Sequence, residues 1–518
     1  MKLTGLLFAA ALLGACTQAA EENYTRHVDP KIGTGGHGHV FVGANVPFGL
    51  VQVGPTSIPQ TWDWCSGYHA SDSTVIGFSH THLSGTGIGD LFDVTVMPVT
   101  GDVTYARGTE DDPTSGLWSY ADRTQEIARP GYYSVPLTRY GIRAELTATA
   151  RVGLHRYTFP ASDAAAVVFD LENGGCWDKA TETHLAKEGD RTVTGWRHST
   201  GWAKDQRVYF VAEFSKPFEK FETIGDNYAR ASFRTTDGEQ VSLKVALSPV
   251  SVEGAKANLA AELSGWDFDA TAKAADKAWN DELSKVKITT ADETARRIFY
   301  TALYHTMIAP SLFCDVNGDY YGSDHAIHRN ADFTNYTTFS LWDTYRAAMP
   351  LMTVLHPEKM ADIVQTMLHI ADEQGRLPVW HLWGNETDCM VGNPGIVAVA
   401  DAIVKGIGGF DREKAFETIR KTAMNPDRGN GLRMEYGYIP CEMFNEAVAY
   451  DMEYALADGA AARAAEALGK AEDAKYFEER SHSYRNYFDP QTGFMRGRDS
   501  KKGWRTPFNA FASTHRAD

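Results

Sequence analysis

The sequence predicts a multidomain β + α protein with an N-terminal antiparallel β-sandwich, a helical linker and a C-terminal helical toroid or bundle. Three observations predict it. The chain has 518 residues, too many for a single core. Its first half alternates apolar and polar residues with period two, whereas its second half repeats apolar residues three or four apart. The change of period falls near Asn258.

In the first half, Val208, Phe210, Ala212 and Phe214 alternate with polar neighbours, and Val241, Leu243, Val245 and Leu247 do the same. That is the pattern of half-buried antiparallel strands. Runs such as Gly33-Thr34-Gly35-Gly36 and Gly85-Thr86-Gly87-Ile88-Gly89 put long, ligand-ready loops between strands. Trp279, Leu283 and Val286 then fall at helical spacing in a linker. Helical stripes follow at Ile298, Phe299, Ala302, Leu303 and Met307, at Met360, Ile363, Val364, Met367 and Leu368, and at Ile396, Val399, Ala400, Ile403 and Val404. Two more helices are predicted around Val448 to Leu456 and Phe477 to Phe488. The expected divisions are 1–23 for an export signal and tether, 24–252 for the sandwich, 253–290 for the linker and 291–518 for the helical domain.

The N-terminus reads as an export signal. Lys2 precedes a short apolar stretch, Leu3 to Ala15, too short to span a bilayer. Leu13-Gly14-Ala15-Cys16 has the form of a bacterial lipobox, which predicts lipidation of Cys16. The expected location is therefore the periplasm or outer membrane, as an exported lipoprotein that touches the membrane only through its lipid anchor. The formal charge of −17, with no basic run, argues against nucleic-acid binding. The six cysteines match neither a zinc site nor a disulfide scaffold in their spacing.

Three segments carry candidate chemistry. In Ser340-Leu341-Trp342-Asp343-Thr344-Tyr345-Arg346, Trp342 offers a flat face to a sugar ring, Asp343 accepts from hydroxyls and Arg346 orients that carboxylate. A buried Asp–Arg pair supporting the start of a helix is the competing reading. In the sandwich, Trp64 and the run His80-Thr81-His82 stand in short loops rich in aromatics and hydroxyls. His80 and His82 project to one face if the run is extended. With His37 and His39 they make a four-histidine metal site conceivable, against a simpler role in bonding sugar hydroxyls or neighbouring loops. A third loop holds Trp383 and Glu386 between two helices, as sugar contacts or as an ordinary solvated loop. Neither a P-loop nor a Gly-x-Ser-x-Gly elbow is present.

Several runs, in this order, resemble glycoside hydrolase family 92, the exo-acting bacterial α-mannosidases. They are Asp29-Pro30-Lys31-Ile32-Gly33-Thr34-Gly35, Pro47-Phe48-Gly49, Gly77 to Gly85, Phe299-Tyr300-Thr301-Ala302-Leu303-Tyr304-His305, Ser340 to Arg346, Cys389-Met390-Val391-Gly392, Lys405-Gly406-Ile407 and Glu435-Tyr436-Gly437-Tyr438. The resemblance implies an (α/α)6 barrel for the helical domain and an active site between the two domains. It implies removal of terminal α-linked mannose, α-1,2 in the first instance, with inversion and with calcium gripping the sugar. The substrates implied are mannose-containing glycans or glycoproteins, either N-glycans or mannans. It assigns Trp342, Asp343, Arg346, Trp64, His80, His82, Trp383 and Glu386 to the substrate pocket. The catalytic acid and base, and most of the calcium site, are expected beyond Asp518. The barrel is thus expected to be incomplete here and the 518-residue chain alone inactive. The alternative function is that of a truncated, non-hydrolytic mannose-binding protein. A phosphorylase or lyase on a similar fold is a third reading, weakened by the motif order.

Overall fold

The computed structural model describes residues 22–58, 61–112 and 114–512. The lipobox cysteine, Cys16, lies outside them. The architecture is an antiparallel sandwich followed by a helical domain. One sheet runs, in spatial order, through Lys179–Glu188, Thr192–Thr200, Gln206–Phe214, Glu239–Ser248, Val152–Phe159, Ile142–Ala148, Tyr132–Leu137 and Ile127–Arg129. The other runs through Gly54–Thr56, Gly77–Ser79, Thr95–Thr100, Ser162–Asp170, Tyr228–Thr235 and Lys220–Ile224.

The alternation places the core between the sheets. Val241, Leu243, Val245 and Leu247 are fully buried in it, with Val208, Phe210, Ala212 and Phe214 on the adjacent strand. Phe169 of the facing sheet stacks on Phe210 with centroids 6.2 Å apart. The outer face of the larger sheet is not left to water. Val152, Leu154, Val211 and Ala246 are covered by the linker helices Val252–Glu262 and Phe268–Leu283 through Ala255, Leu263, Phe268 and Ala272. A sheet with both faces covered needs apolar residues on both, which is why Ala246 interrupts the strict alternation.

The linker also reaches the helical core. Trp279 is wholly buried, donates to the Asn45 carbonyl at 2.8 Å and packs on Tyr304 at 4.3 Å. The helix Glu293–His305 corrects one expected stripe. Its buried face is Tyr300, Leu303 and Tyr304, while Ile298 is 55% exposed and Ala302 is also exposed. The tyrosine rings fill the core because their hydroxyls find acceptors, the Val286 carbonyl at 3.0 Å and the Asn45 side chain at 3.3 Å. Val404 and Leu456 likewise lie outside the core, at 49% and 44% exposure.

The remaining helices follow their start and stop signals. Pro357 opens Pro357–Gln374 and Gly375, at φ 90°, ends it. Asp411 caps Arg412–Met424 by accepting from the Glu413 and Lys414 amides. Met360, Ile363, Val364, Met367, Ile396, Val399 and Ile403 share one core with the alanines of Ala447–Ala467.

One ion pair ties the linker to this domain. Glu282 lies 2.7 Å from Lys285 Nζ and 3.1 Å from His356 Nδ1. Burial pushes the Glu282 carboxyl up, but its close contacts with His356 and Lys285 outweigh it and hold the group at about 2. A carboxyl held below its usual 4.5 adds stability above pH 4.5 and loses that stability as the pH falls toward 2. Melting curves of the wild type should therefore drop more steeply across that window than those of Glu282→Gln. Parallel slopes would show that the pair does not couple to folding.

Candidate functional site

The site is built where sandwich loops meet the first loops of the helical domain. Two groups of contacts fasten that junction. Trp202 packs against Trp380 nearly at right angles, with centroids 4.8 Å apart. Asp205 and Asn385 exchange two hydrogen bonds, the Asp205 amide to Asn385 Oδ1 at 3.0 Å and Asn385 Nδ2 to the Asp205 carbonyl at 2.8 Å. Tyr321 adds a third by donating to the Asp205 carboxylate at 3.0 Å.

On the sandwich side the loops converge through close glycine contacts. Trp62 is 48% exposed and donates to the Gly87 carbonyl at 2.8 Å. A Cβ at Gly87 would lie 2.3 Å from the Trp62 ring, so only glycine lets the indole lie on that loop. Gly89 admits Trp177 in the same way. His39 packs edge-on against Trp62 at 4.2 Å, and His37 Nδ1 bonds Asp63 at 2.5 Å. Behind them the Cys65 and Cys176 thiols meet; that hydrogen bond, with burial, pushes the Cys65 thiol up. A fully buried guanidinium, Arg197, holds Asp93 at 2.7 Å and also pairs with Asp178. It thereby fixes the loop that carries Trp177.

On the helical side, Phe339–Ser340 pairs with Trp380–Leu382, which pairs in turn with Asn385–Glu386. The helix Leu341–Thr344 starts directly from this small sheet. Trp342 is half-buried and its indole Nε1 has no acceptor although it is shielded from water. Asp343 is exposed and accepts from Ser340 Oγ at 2.5 Å. Arg346 lies over both the Trp342 and Tyr345 rings at 4.6 Å. The expected Arg346–Asp343 pairing is corrected here. Arg346 donates to Glu453 at 2.7 Å and Tyr345 donates to the other Glu453 oxygen at 2.9 Å. Burial and that bond push the Tyr345 hydroxyl up to about 12. The guanidinium follows Glu453 because the arginine reaches across to Ala447–Ala467, while Asp343 is satisfied within its own turn.

Other expected contacts are placed elsewhere. His80 is fully buried, with Nδ1 on the Val94 carbonyl at 2.6 Å and Nε2 on His155 at 2.9 Å. His82 is 4% exposed and lies between the Gln52 carbonyl, at 2.8 Å, and Thr56 Oγ1, at 3.3 Å. Burial lowers both rings, His80 to about 3 and His82 to about 4, so both stay neutral. They hold neighbouring loops, and no four-histidine cluster forms, since His37 and His39 stand beside Asp63 and Trp62. Trp64 is half-buried, donates to Asp72 at 2.8 Å and stacks on His69 at 4.4 Å. Trp383 is 2% exposed and packs against Phe313. The Glu386 carboxylate accepts from the amides of Val379, Trp380 and Asp388 at 2.8, 2.9 and 3.0 Å. It shapes the loop rather than facing it. Trp62 and Trp177 are the exposed indoles that the sequence reading passed over; the glycines beside them were the available signal.

Backbone strain concentrates on both walls. Leu91, Phe92 and Val94 on the sandwich side, and Trp383, Asp388, Met390 and Glu446 on the helical side, all adopt φ between 48° and 75°. For non-glycine residues, and for β-branched Val94 above all, such angles cost of order 1–3 kcal/mol each and collect at functional loops. The residues near the junction offer exposed indoles and an exposed carboxylate, groups that bind a polyhydroxylated ring.

Comparison with known proteins gives the family. Residues 27–248 match the glycosyl hydrolase family 92 N-terminal domain and residues 254–518 match the family 92 catalytic domain. The chain belongs to glycosyl hydrolase family 92. A GH92 α-mannosidase of Bacteroides thetaiotaomicron is 39% identical and superposes with a TM-score of 0.92, over 95% of this chain and 69% of that one. The same enzyme has been solved with mannoimidazole bound. A second protein from that organism, an inverting GH92 mannosidase, is 29% identical with a TM-score of 0.84, over 94% of this chain and 68% of its own. An uncharacterized secreted glycosidase of Arthroderma benhamiae is 26% identical, over 96% of this chain and 67% of its own length. This family 92 chain thus spans about two thirds of the length of those relatives. Among its described residues, no helix is long and apolar enough to cross a membrane.

Proposed function

We propose that this family 92 chain belongs to an exported exo-α-mannosidase that releases terminal α-1,2-linked mannose from N-glycans or mannans with inversion and with calcium. The observation that carries the reading is the exposed Asp343 carboxylate beside the half-buried Trp342 ring at the domain junction. In this reading Trp342 packs its ring against the mannose and Asp343 accepts from its hydroxyls. The Arg346–Glu453 pair keeps the Trp342 ring in place, and Trp62 offers an exposed face among the sandwich loops. The names of the two Bacteroides relatives support mannose and inversion, and that of the fungal relative supports export. The lipid anchor on Cys16 is part of the same proposal and rests on the lipobox pattern alone.

Inversion asks for an acid and a base roughly 6.5–9.5 Å apart with water between them; no residue described here is assigned to either role. Calcium would supply charge to grip sugar hydroxyls and favours six to eight oxygen ligands. The one described cluster of three or more His, Cys, Asp or Glu groups able to hold an ion contains an imidazole, so it does not fit calcium.

The test is mannose release from α-1,2-mannobiose, followed by proton NMR, with this chain and with one carrying its relatives' full length. β-Mannose appearing first, and loss of turnover in EGTA, are the expected results. Binding without release by either form would replace the proposal with the mannose-binding alternative. Trp62→Ala should raise KM five- to tenfold. That corresponds to about 1–1.4 kcal/mol, near half the value of fully burying a large apolar side chain. Because Trp62 is so exposed, the melting temperature should stay put.

A further inference from the structure

We propose that Asp324, His328 and Glu373 form a binding site for a zinc-like divalent transition-metal ion, away from the sugar pocket. Asp324 and His328 belong to a tight hairpin in which Tyr320 pairs with His328 and Tyr321 with Ile327. Glu373 comes from the last turn of Pro357–Gln374. His328 Nε2 lies 3.1 and 3.2 Å from the two Asp324 oxygens and 3.5 Å from Glu373 Oε1. A tetrahedral ion with bonds of about 2.0–2.2 Å has ligand atoms roughly 3.3–3.6 Å apart, so these are near the edges of such a polyhedron.

Two further features favour an ion over a simple hydrogen bond. Both carboxylates converge on the one Nε2 atom, which has a single hydrogen to share between them. Glu373 has a side chain only 5% exposed, and no arginine or lysine among the described residues pairs with it.

The surroundings orient the ligands. Tyr320 donates to Glu373 Oε1 at 2.8 Å and the Ser323 amide to Oε2 at 2.7 Å. The His328 ring stacks on Tyr320 at 4.8 Å, tilted by 10°. The Ala326 amide fixes Asp324 at 3.0 Å. A Cβ at Gly322 would lie 2.7 Å from both His328 Nε2 and Asp324 Oδ1, so glycine keeps the space between them clear. One nitrogen and two carboxylates suit zinc or a first-row neighbour, with solvent in the fourth position, better than an all-oxygen ion. Asp324 and His328 are each about a third exposed, which gives the ion a path in. The ion would pin the hairpin to the helix, and Tyr321 of that hairpin already holds Asp205 of the sandwich.

The test is titration of the chelator-stripped chain with Co2+, monitored by its visible d–d bands, and separately with Ca2+. The expected result is one equivalent of Co2+, displaced by Zn2+, with Asp324→Asn and His328→Gln each weakening binding at least tenfold. Tyr320→Phe should weaken it about tenfold, as loss of an orienting partner does. Asp324 is exposed, so the melting curve of the apo Asp324→Asn protein should match wild type and certify its fold. Absence of stoichiometric Co2+ or Zn2+ uptake, uptake undiminished in Asp324→Asn, or uptake of Ca2+ alone would overturn the proposal. None of these readings depends on mannose release.

Discussion

Asp343→Ala should lower kcat/KM on an α-1,2-mannoside at least tenfold while moving the melting temperature by no more than a degree or two. The two effects separate because of where the carboxylate sits. It is exposed and accepts from a hydroxyl in its own turn, Ser340 Oγ. Little of the fold depends on it. A hydrogen bond to a charged group is worth about 1.5–3 kcal/mol, and 1.4 kcal/mol is already tenfold. Asp343→Asn, which keeps the shape but not the charge, should fall between wild type and alanine. If the carboxylate held the ground state and the transition state equally, KM would carry the whole loss; a fall in kcat as well would show that its grip tightens as the ring distorts. Unchanged kinetics in both variants would remove Asp343 from the pocket.

Arg197→Met should be the most destabilising of the single changes considered, at about 3–5 kcal/mol, the usual cost of breaking a buried ion pair from one side. For a domain of this size that is on the order of 10 °C in melting temperature. Arg197 is wholly buried between Asp93 and Asp178 and also donates to the Leu171 carbonyl at 2.9 Å. Methionine fills similar space but leaves two buried carboxylates without a cation. The Asp93 carboxyl, which burial already pushes up, would take up a proton more readily in the folded variant than in its unfolded chain. The deficit relative to wild type should therefore shrink as the pH is lowered toward 4. A deficit that ignores pH would mean that packing, not charge, is what Arg197 supplies. Arg197→Lys keeps the charge without the fork and should recover only part of the loss.

The fold was largely legible because burial imposes a period. Leu243 and Leu247 had to face one way on a strand, and Ile363 and Met367 one way on a helix, whatever else surrounded them. Amphipathic rings were less legible. Tyr300 and Tyr304 entered the core in place of Ile298 because distant carbonyl and amide groups could accept their hydroxyls. At the site, the segment Trp342 to Arg346 was visible as a cluster, but the partner of Arg346 was not, since Glu453 stands 107 residues away. His80, Trp383 and Glu386 illustrate a further limit. Polar and aromatic residues in a glycine-rich loop serve a ligand or the loop itself, and only their hydrogen bonds show which. The same applies to Trp62 and Trp64, neighbours in one short turn of which one faces solvent and the other stacks on His69.

The reciprocal amide exchange between Asp205 and Asn385, braced by Trp202 against Trp380, makes the two walls of the cleft stationary jaws rather than a closing clam. In the function proposed above, turnover would have no domain-opening step to wait for. The amide proton of Asp205 should accordingly exchange with deuterium as slowly as those at the centre of the sandwich, with or without sugar present.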